Sequence, residues 1–377
     1  MAKGSGRVTS FEKIAQIADA LRIPGQLVGL ANRPWELVQS VPKPAADQDG
    51  PEAVKRREFI RTSLASLGVT AAAVPFMPVD AGPRVGSSFT RQLVDRTARL
   101  RQLDNYLGGL DTYRVYLAEV ETTLSVLKHS SYDGVTERAL LSILAEQDQQ
   151  AGWAAFDAGY HERSDAHYRS SLAAAQQAGD LPLAANALIF TSYQLVSTQH
   201  TGSEAAAVAC GMIPPDAPHT VRALLHERLA WAYAVEGNGC ECERALAVAE
   251  DAINRPDPQS QPDWSAWVDR DEVSIMAGRC WAELRRPLRA VHALEGALDR
   301  FQDTHARDKA LYLTWLADAY IDACEIDEAV ATVDRAMELS QGVGSTRPHQ
   351  RAKAVMTRLA PYQDVPQVAA LLERAKS

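Results

Sequence analysis

Few residues of this chain have the types and spacing that catalysis or metal binding requires. Cys240 and Cys242 are one residue apart, and with Cys210 or His226 they could serve as metal ligands. Structural zinc sites usually combine two such pairs, and no second pair follows here at the required spacing. The five cysteines are an odd number and predict no complete disulfide framework. We therefore expect no bound metal ion.

The sequence also offers no recognisable catalytic pattern. It contains no glycine-rich phosphate loop, no nucleophile elbow and no paired-histidine zinc helix. His161 and His167 are six residues apart, which places them on different faces of a helix. Asp269, Asp271 and Glu272 form an acidic cluster of the kind that caps a helix in solvent. We expect a protein that is not an enzyme and uses no cofactor.

A repeated pairing of small and aromatic residues marks the second half of the chain. Four times a small residue precedes an aromatic one by three positions: Ala187 and Phe190, Ala230 and Tyr233, Gly278 and Trp281, Ala317 and Tyr320. In a helical repeat the small residues let paired helices approach, and the aromatic fills the gap between neighbouring repeats. The clearest copy, from Leu311 to Leu339, resembles the tetratricopeptide repeat.

Composition agrees with a chain built from such repeats. Hydrophobic residues make up 46% of the 377 residues, which suffices for a sizeable buried core, and β-branched runs are scarce. We predict an all-α fold with tetratricopeptide-like repeats over residues 137–377, stacked into a right-handed superhelix. Residues 89–136 should form a leading helical hairpin, broken near Gly108 and Gly109. No stretch reaches the ~20 apolar residues that cross a bilayer.

The first part of the chain differs from the rest in charge. Residues 1–33 carry five basic and two acidic side chains, whereas the whole chain has a net charge of −9. The segment from Gly6 to Leu21 resembles the closing part of an XRE-type (Cro/C1-like) helix-turn-helix domain. Arg101 to Asp111 and Ala151 to Gly159 resemble segments of actinobacterial regulators that join such a domain to tetratricopeptide repeats. We assign residues 1–35 to a partial domain of this type.

The resemblance implies a transcriptional regulator whose repeats bind a peptide, a protein partner or a small-molecule effector in the cytoplasm. Because the chain begins where the family's recognition helix should end, sequence-specific DNA binding is not expected from it. Arg7 and Lys13 could contact phosphates, which position a protein without specifying sequence. DNA is therefore a partner only where the domain is complete, and a homodimer is possible.

Residues 36–88 admit two interpretations. The first interpretation is a linker followed by a helix that runs from basic to apolar residues. Residues 41–51 favour a linker because they are rich in proline and acidic side chains. Residues 55–81 also look like a twin-arginine export signal, with a basic start and an apolar run. Under that alternative the protein is a stand-alone or exported repeat scaffold that mediates protein–protein interaction.

The repeat register predicts which side chains face the groove of the superhelix. They stand three positions before and one position after each small residue: Gln149 and Trp153, Glu227 and Trp231, Ile275 and Arg279, Thr314 and Asp318. Indoles beside amide and charged groups suit a peptide or an amphipathic ligand. Alternatively, Trp153 and Trp231 seal contacts between repeats. Trp281, at the consensus aromatic position, should be a buried residue.

Overall fold

The structure is a computed structural model and describes residues 84–256 and 260–375. Within these ranges the chain is α-helical and contains no β-strand, which confirms the predicted fold class. The partial helix-turn-helix domain, nearly all of the linker, and the residues Arg7 and Lys13 lie outside the described residues. The segment 55–81, with its resemblance to an export signal, lies outside them too.

Fourteen α-helices follow one another along the described ranges. They are α1 (Ser87–Arg101), α2 (Gly109–His129), α3 (Gly134–Asp157), α4 (His161–Ala178), α5 (Leu181–Ser197), α6 (Ser203–Met212), α7 (His219–Val235), α8 (Gly239–Asn254), α9 (Arg270–Glu283), α10 (Pro287–Leu298), α11 (Ala306–Asp322), α12 (Ile326–Ser340), α13 (Arg347–Leu359) and α14 (Pro366–Arg374).

Capping residues in the sequence account for several of the boundaries. Gly179 ends α4 with a left-handed φ of 75°, a conformation that costs glycine little. Asp180 then caps α5, since its carboxylate accepts a hydrogen bond from the backbone N–H of Leu183 at 3.1 Å. Asp269 caps α9 in the same way and accepts from the N–H of Glu272 at 2.9 Å. Asp269 thus caps a helix as the sequence predicted, whereas Glu272 of the same acidic cluster is buried and not solvated.

The helices form two layers. Each odd-numbered helix from α1 to α11 packs against the next odd-numbered helix, and together they make an inner layer. Most even-numbered helices pack on the flanking odd-numbered ones and lie outside that layer. Such stacking of helix pairs is typical of α-helical repeat proteins. The right-handed superhelix itself stays a prediction.

The small residues of the repeat pattern lie where paired helices approach most closely. A Cβ atom added to Gly278 would come within 2.5 Å of Leu294 on α10, and one added to Gly152 would come within 2.5 Å of Tyr168 on α4. Phe190 of α5 stacks on Tyr168 of the preceding pair, with ring centroids 5.2 Å apart. The pattern therefore has the packing role that the sequence predicted.

The two leading helices flank the predicted break. A short 3₁₀ turn, Gln102–Asn105, follows α1, and α2 begins at Gly109. Glu119 of α2 forms an ion pair with Arg96 of α1 at 2.5 Å. The glycines do more than interrupt a helix, because a Cβ on Gly108 would meet the backbone of Gly344 at 2.2 Å. Contact with a distant segment thus requires glycine at this position.

That distant segment joins the two ends of the inner layer. The loop 341–346, between α12 and α13, lies against the start of α2 and the end of α3. The N–H of Leu110 donates to the carbonyl of Gly344 at 2.9 Å, and the N–H of Thr346 donates to the carbonyl of Asp157 at 3.0 Å. The repeats therefore close on themselves around an interior space.

None of the helices in the described ranges combines the length and the apolar character of a membrane-spanning segment.

Candidate functional site

The inner helices and three loops enclose a cavity of about 640 Å³. Exposed side chains from the loops 102–105, 263–267 and 300–305 surround its mouth. Buried side chains from α3, α5, α9 and the start of α13 form its floor. The closure of the repeats makes this space a pocket, whereas an open repeat array would present a groove.

Tyr193 of α5 is the centre of the floor. Its hydroxyl accepts hydrogen bonds from the Nη2 atoms of Arg279 at 3.1 Å and Arg347 at 2.5 Å. The guanidinium of Arg228 lies 5.5 Å from its ring centroid. Burial by itself raises the pKa of Tyr193, but the positive charges of the three arginines outweigh it and hold the pKa below its usual value. Three guanidinium groups thus surround the phenol at the floor of the cavity.

Arg279 is held by aromatic rings. Its guanidinium carbon lies 4.5 Å from the ring centroid of Trp231 and 4.0 Å from that of Trp315. The side chain is 1% exposed, and its Nε atom has no hydrogen-bond partner among the described residues. Stacking between indoles suits a planar, weakly hydrated cation and fixes its orientation. The remaining donors of Arg279 are consequently pre-oriented.

A chain of amide hydrogen bonds runs beside this cluster. Asn186 of α5 donates from Nδ2 to Oε1 of Gln149 on α3 at 2.7 Å. Gln149 in turn donates from Nε2 to the hydroxyl of Ser171 and to the carbonyl of Leu183, both at 3.0 Å. The Oδ1 atom of Asn186 is buried without a partner in the described part of the chain. The wall of the cavity thus holds an acceptor that a bound molecule could satisfy.

Paired charges line the rest of the cavity. Arg307 donates to both oxygens of Asp104, at 2.6 and 2.9 Å, and the indole Nε1 of Trp153 donates to the same carboxylate at 3.2 Å. Glu272 accepts from Arg228 at 3.0 Å and from the hydroxyl of Tyr312 at 3.2 Å. These bonds tie the 3₁₀ turn after α1 to α3 and α11, and α7 to α9 and α11, and they give the cavity a defined shape.

The structure brings three of the predicted groove residues to the cavity wall, namely Gln149, Trp153 and Arg279. The other five do not line it: Glu227, Trp231, Ile275, Thr314 and Asp318. The predicted groove positions therefore coincide only in part with the residues that line this cavity. Whether any of the predicted residues binds a ligand stays a prediction.

Two of the five residues outside the cavity wall, Thr314 and Asp318, lie between the inner helices α11 and α13. Asp318 of α11 pairs with Arg351 at 2.7 Å and Arg358 at 2.8 Å, both on α13. Thr314 is fully buried at the same boundary. Adjacent inner helices pack side by side, so the positions three before and one after a small residue are covered by the next repeat. On α7 and α11 the lining comes from earlier turns, at Leu224, Leu311 and neighbouring residues.

The expected order of burial of two tryptophans is reversed. Trp231 is 4% exposed and packs against Arg279, whereas Trp281 is half-buried under the guanidinium of Arg289 at 4.8 Å. The burial favours the alternative in which Trp231 seals contacts between repeats. Trp281 is not the fully buried residue that its consensus position predicted.

Sequence reasoning missed Tyr193 and Arg347. Tyr193 follows Asn186 by seven residues and therefore shares its helical face, a signal that the small-aromatic register did not use. Arg347 precedes Pro348 at the start of α13, which predicts a helix start but not a cavity residue. Arg347 reaches the floor only because the repeats close.

The cysteines stand apart from the cavity. Cys240 is exposed, Cys242 and Cys280 are fully buried, and Cys210 is half-buried. Burial raises the pKa of the Cys210 thiol to about 12. Across residues 84–256 and 260–375, no group of three or more His, Cys, Asp and Glu side chains is arranged to hold a metal ion.

Comparison of the chain with protein-family models, with curated proteins and with solved structures gave no match in any of the three. The resemblances of its segments to XRE-type regulators and to tetratricopeptide repeats therefore stay predictions from the sequence.

Proposed function

We propose that this chain is the ligand-sensing part of a regulator, and that the closed repeat domain binds a small molecule or a short peptide in its central cavity. The observation that carries the proposal is the cavity itself. Its volume of about 640 Å³ lies in the range of pockets for drug-sized ligands. Apolar pockets with a few convergent polar groups are the usual ligand-binding sites of proteins.

The chemistry of the walls supports a ligand of mixed character. Phe190, Trp153 and Ile189 offer apolar surface, and Asn186 and Arg279 each present a buried polar atom without a partner in the described structure. A protein keeps unsatisfied buried polar groups at a cost of about 1–3 kcal/mol each. A ligand that supplies the missing partners would recover this free energy on binding.

The regulatory half of the proposal rests on the resemblance of residues 6–21 to an XRE-type domain. In such an arrangement the effector would alter how the repeats hold the DNA-binding part. The alternative, a stand-alone or exported repeat scaffold, makes the same cavity a site for a partner segment without any response at DNA.

A cavity-filling variant tests ligand binding. The purified protein is incubated with a low-molecular-weight extract and with a short-peptide library, and bound molecules are measured by native mass spectrometry and thermal shift. We expect a stoichiometric ligand that raises the melting temperature. Ile189→Trp adds volume at the cavity wall and should abolish the rise in melting temperature. Val248→Trp, at an exposed residue of the outer helix α8, is the control and should leave that rise unchanged.

The same two variants can also contradict the proposal. If Ile189→Trp folds, as judged by circular dichroism, and still binds as the unmodified protein does, the ligand does not occupy the cavity. If neither extract nor library supplies a ligand for the unmodified protein, the sensing function is refuted.

A further inference from the structure

We infer that Arg279 and Arg347 form an anion subsite, which holds the carboxylate of an organic monocarboxylate ligand at the floor of the cavity. The inference rests on the proposed function, because it names the chemical class that the same cavity would take. It goes beyond that function by assigning one end of the ligand to two named side chains.

The first step concerns the charges on the wall. Six arginines line the cavity, and four of them pair closely with carboxylates: Arg101 with Glu146 and Asp263, Arg228 with Glu272 at 3.0 Å, Arg300 with Asp271, and Arg307 with Asp104 at 2.6 Å. Arg279 has no ion-pair partner among the described residues. Arg347 has its nearest described carboxylate, Asp157, at 3.6 Å. The cations without a close carboxylate partner are thus confined to the floor.

The second step concerns what these two guanidinium groups contact now. Both donate to the hydroxyl of Tyr193, so one phenol oxygen serves two buried cations. A buried charge without a close counter-charge is costly, and the stacking of Arg279 on its indoles offsets only part of that cost. A carboxylate between the two groups would form charge-assisted hydrogen bonds with the remaining donors, including the unpartnered Nε of Arg279.

The third step selects the class of anion. Seven carboxylates and six arginines line the cavity, so its wall as a whole has no excess positive charge that would attract a dianion. A monoanion therefore fits better than a phosphate dianion. The unpartnered Oδ1 of Asn186 accepts an N–H from the ligand, and Phe190 lines the same space. The preferred ligand is a monocarboxylate with an apolar or aromatic body and an N–H donor.

The test compares acids with their uncharged amides. Isothermal titration calorimetry measures indoleacetate against indoleacetamide, phenylpropionate against phenylpropionamide, and aromatic tripeptides with free against amidated C-termini. We expect at least one acid to bind about tenfold or more tightly than its amide, the ratio that one good charge-assisted contact gives. The peptide and small-molecule arms distinguish the two sources of the carboxylate.

Variants then show which side chains cause the preference for acids over amides. Arg347→Gln should remove most of the acid-over-amide ratio. Arg289→Gln is the matched control, because Arg289 also stacks on an indole but is 59% exposed and does not line the cavity. It should keep the ratio of the unmodified protein. Arg279→Lys retains the charge and should reduce the ratio in part, since the planar fork is lost.

Four results would overturn the inference. Equal or tighter binding of the amides refutes the anion subsite and leaves cavity binding intact. An unchanged ratio in Arg347→Gln places the carboxylate elsewhere. Tighter binding of phenyl phosphate than of any carboxylate refutes the assigned class. If no acid or amide binds below about 1 mM, both the subsite and the proposed sensing of such ligands fail.

Discussion

Asp157, the last residue of α3, accepts a hydrogen bond at 2.7 Å from the hydroxyl of Ser345, which follows it by 188 residues. The other oxygen of the same carboxylate accepts from the backbone N–H of Gly109 at 2.8 Å. One fully buried side chain therefore joins the start of α2, the end of α3 and the loop before α13. This contact closes the repeats around the cavity.

Asp157→Ala should destabilise the protein strongly. The change leaves the N–H of Gly109 buried without its partner and removes the nearest carboxylate from Arg347. Losing one partner of a buried charged network typically costs about 3–5 kcal/mol of unfolding free energy. Equilibrium unfolding in urea measures the difference. Asp334→Ala, which removes an exposed pair with Arg374, is the control and should cost less than about 1 kcal/mol. A comparable loss of unfolding free energy in both variants would contradict the role of Asp157 in closing the repeats.

Trp231→Ala should melt much earlier than Trp281→Ala. Trp231 is 4% exposed and packs on Arg279, so truncation leaves a cavity in the core at a cost of about 3–5 kcal/mol. Trp281 is half-buried, and its truncation loses less packing and an exposed cation–π contact of about 1 kcal/mol. Thermal melts of both variants measure the order. Earlier melting of Trp281→Ala would support the register predicted from the sequence, in which Trp281 is the buried residue.

Glu227→Gln should stabilise the protein more at pH 8 than at pH 5. Glu227 is fully buried and neither of its oxygens has a hydrogen-bond partner in the described structure. Burial raises its pKa well above the usual 4.5, although the charge of Arg228 opposes the rise. Such a carboxyl contributes stability that is fully present below 4.5 and is lost as the pH rises through the folded pKa.

Glutamine keeps the shape of Glu227 and cannot ionise, so it removes this loss. Urea unfolding at the two pH values gives the comparison. Glu338→Gln, at a residue whose side chain is 60% exposed, is the control and should leave the pH dependence unchanged. A variant of Glu227 that is less stable than the unmodified protein at pH 8 would show that the carboxylate is ionised in the folded state.

DNA binding by this chain should be weak, salt-sensitive and without sequence preference. The resemblance covers the part of an XRE-type domain that packs beneath the recognition helix, and Arg7 and Lys13 would contact phosphates only. Two such contacts predict about a tenfold loss of affinity between 50 and 200 mM salt. Fluorescence anisotropy with random duplexes measures it. Replacing both residues by alanine should abolish binding, while replacing the exposed Arg169 and Lys353 should not. Tight binding to one operator at moderate salt would refute the prediction.

Local patterns in the sequence predicted the helical repeats because their causes are local. A small residue such as Gly278 must lie opposite its paired helix, and Phe190 must fill the gap to the preceding pair, whatever the rest of the chain does. Caps such as Asp180 act over three residues. These constraints are visible within about forty residues of sequence, which is the length of one repeat.

The sequence predicted only part of the site, because the contacts that form the site are not local. Gln149, Trp153 and Arg279 reach the cavity because they lie on the inner layer, as the register required. The register could not tell which turns of each inner helix remain uncovered. That depends on how each repeat packs against the next, and here the packing buries Trp231 and pairs Asp318 with α13.

By itself the sequence determined an all-α protein of stacked helix pairs, since hydrophobic spacing and small residues fix each pair independently of the others. Only the tertiary structure decided that the stack closes and that Arg279 and Arg347 meet at Tyr193. These contacts join residues 86 and 154 positions apart. They arise from the way all the intervening repeats pack on one another, which no short segment of sequence encodes.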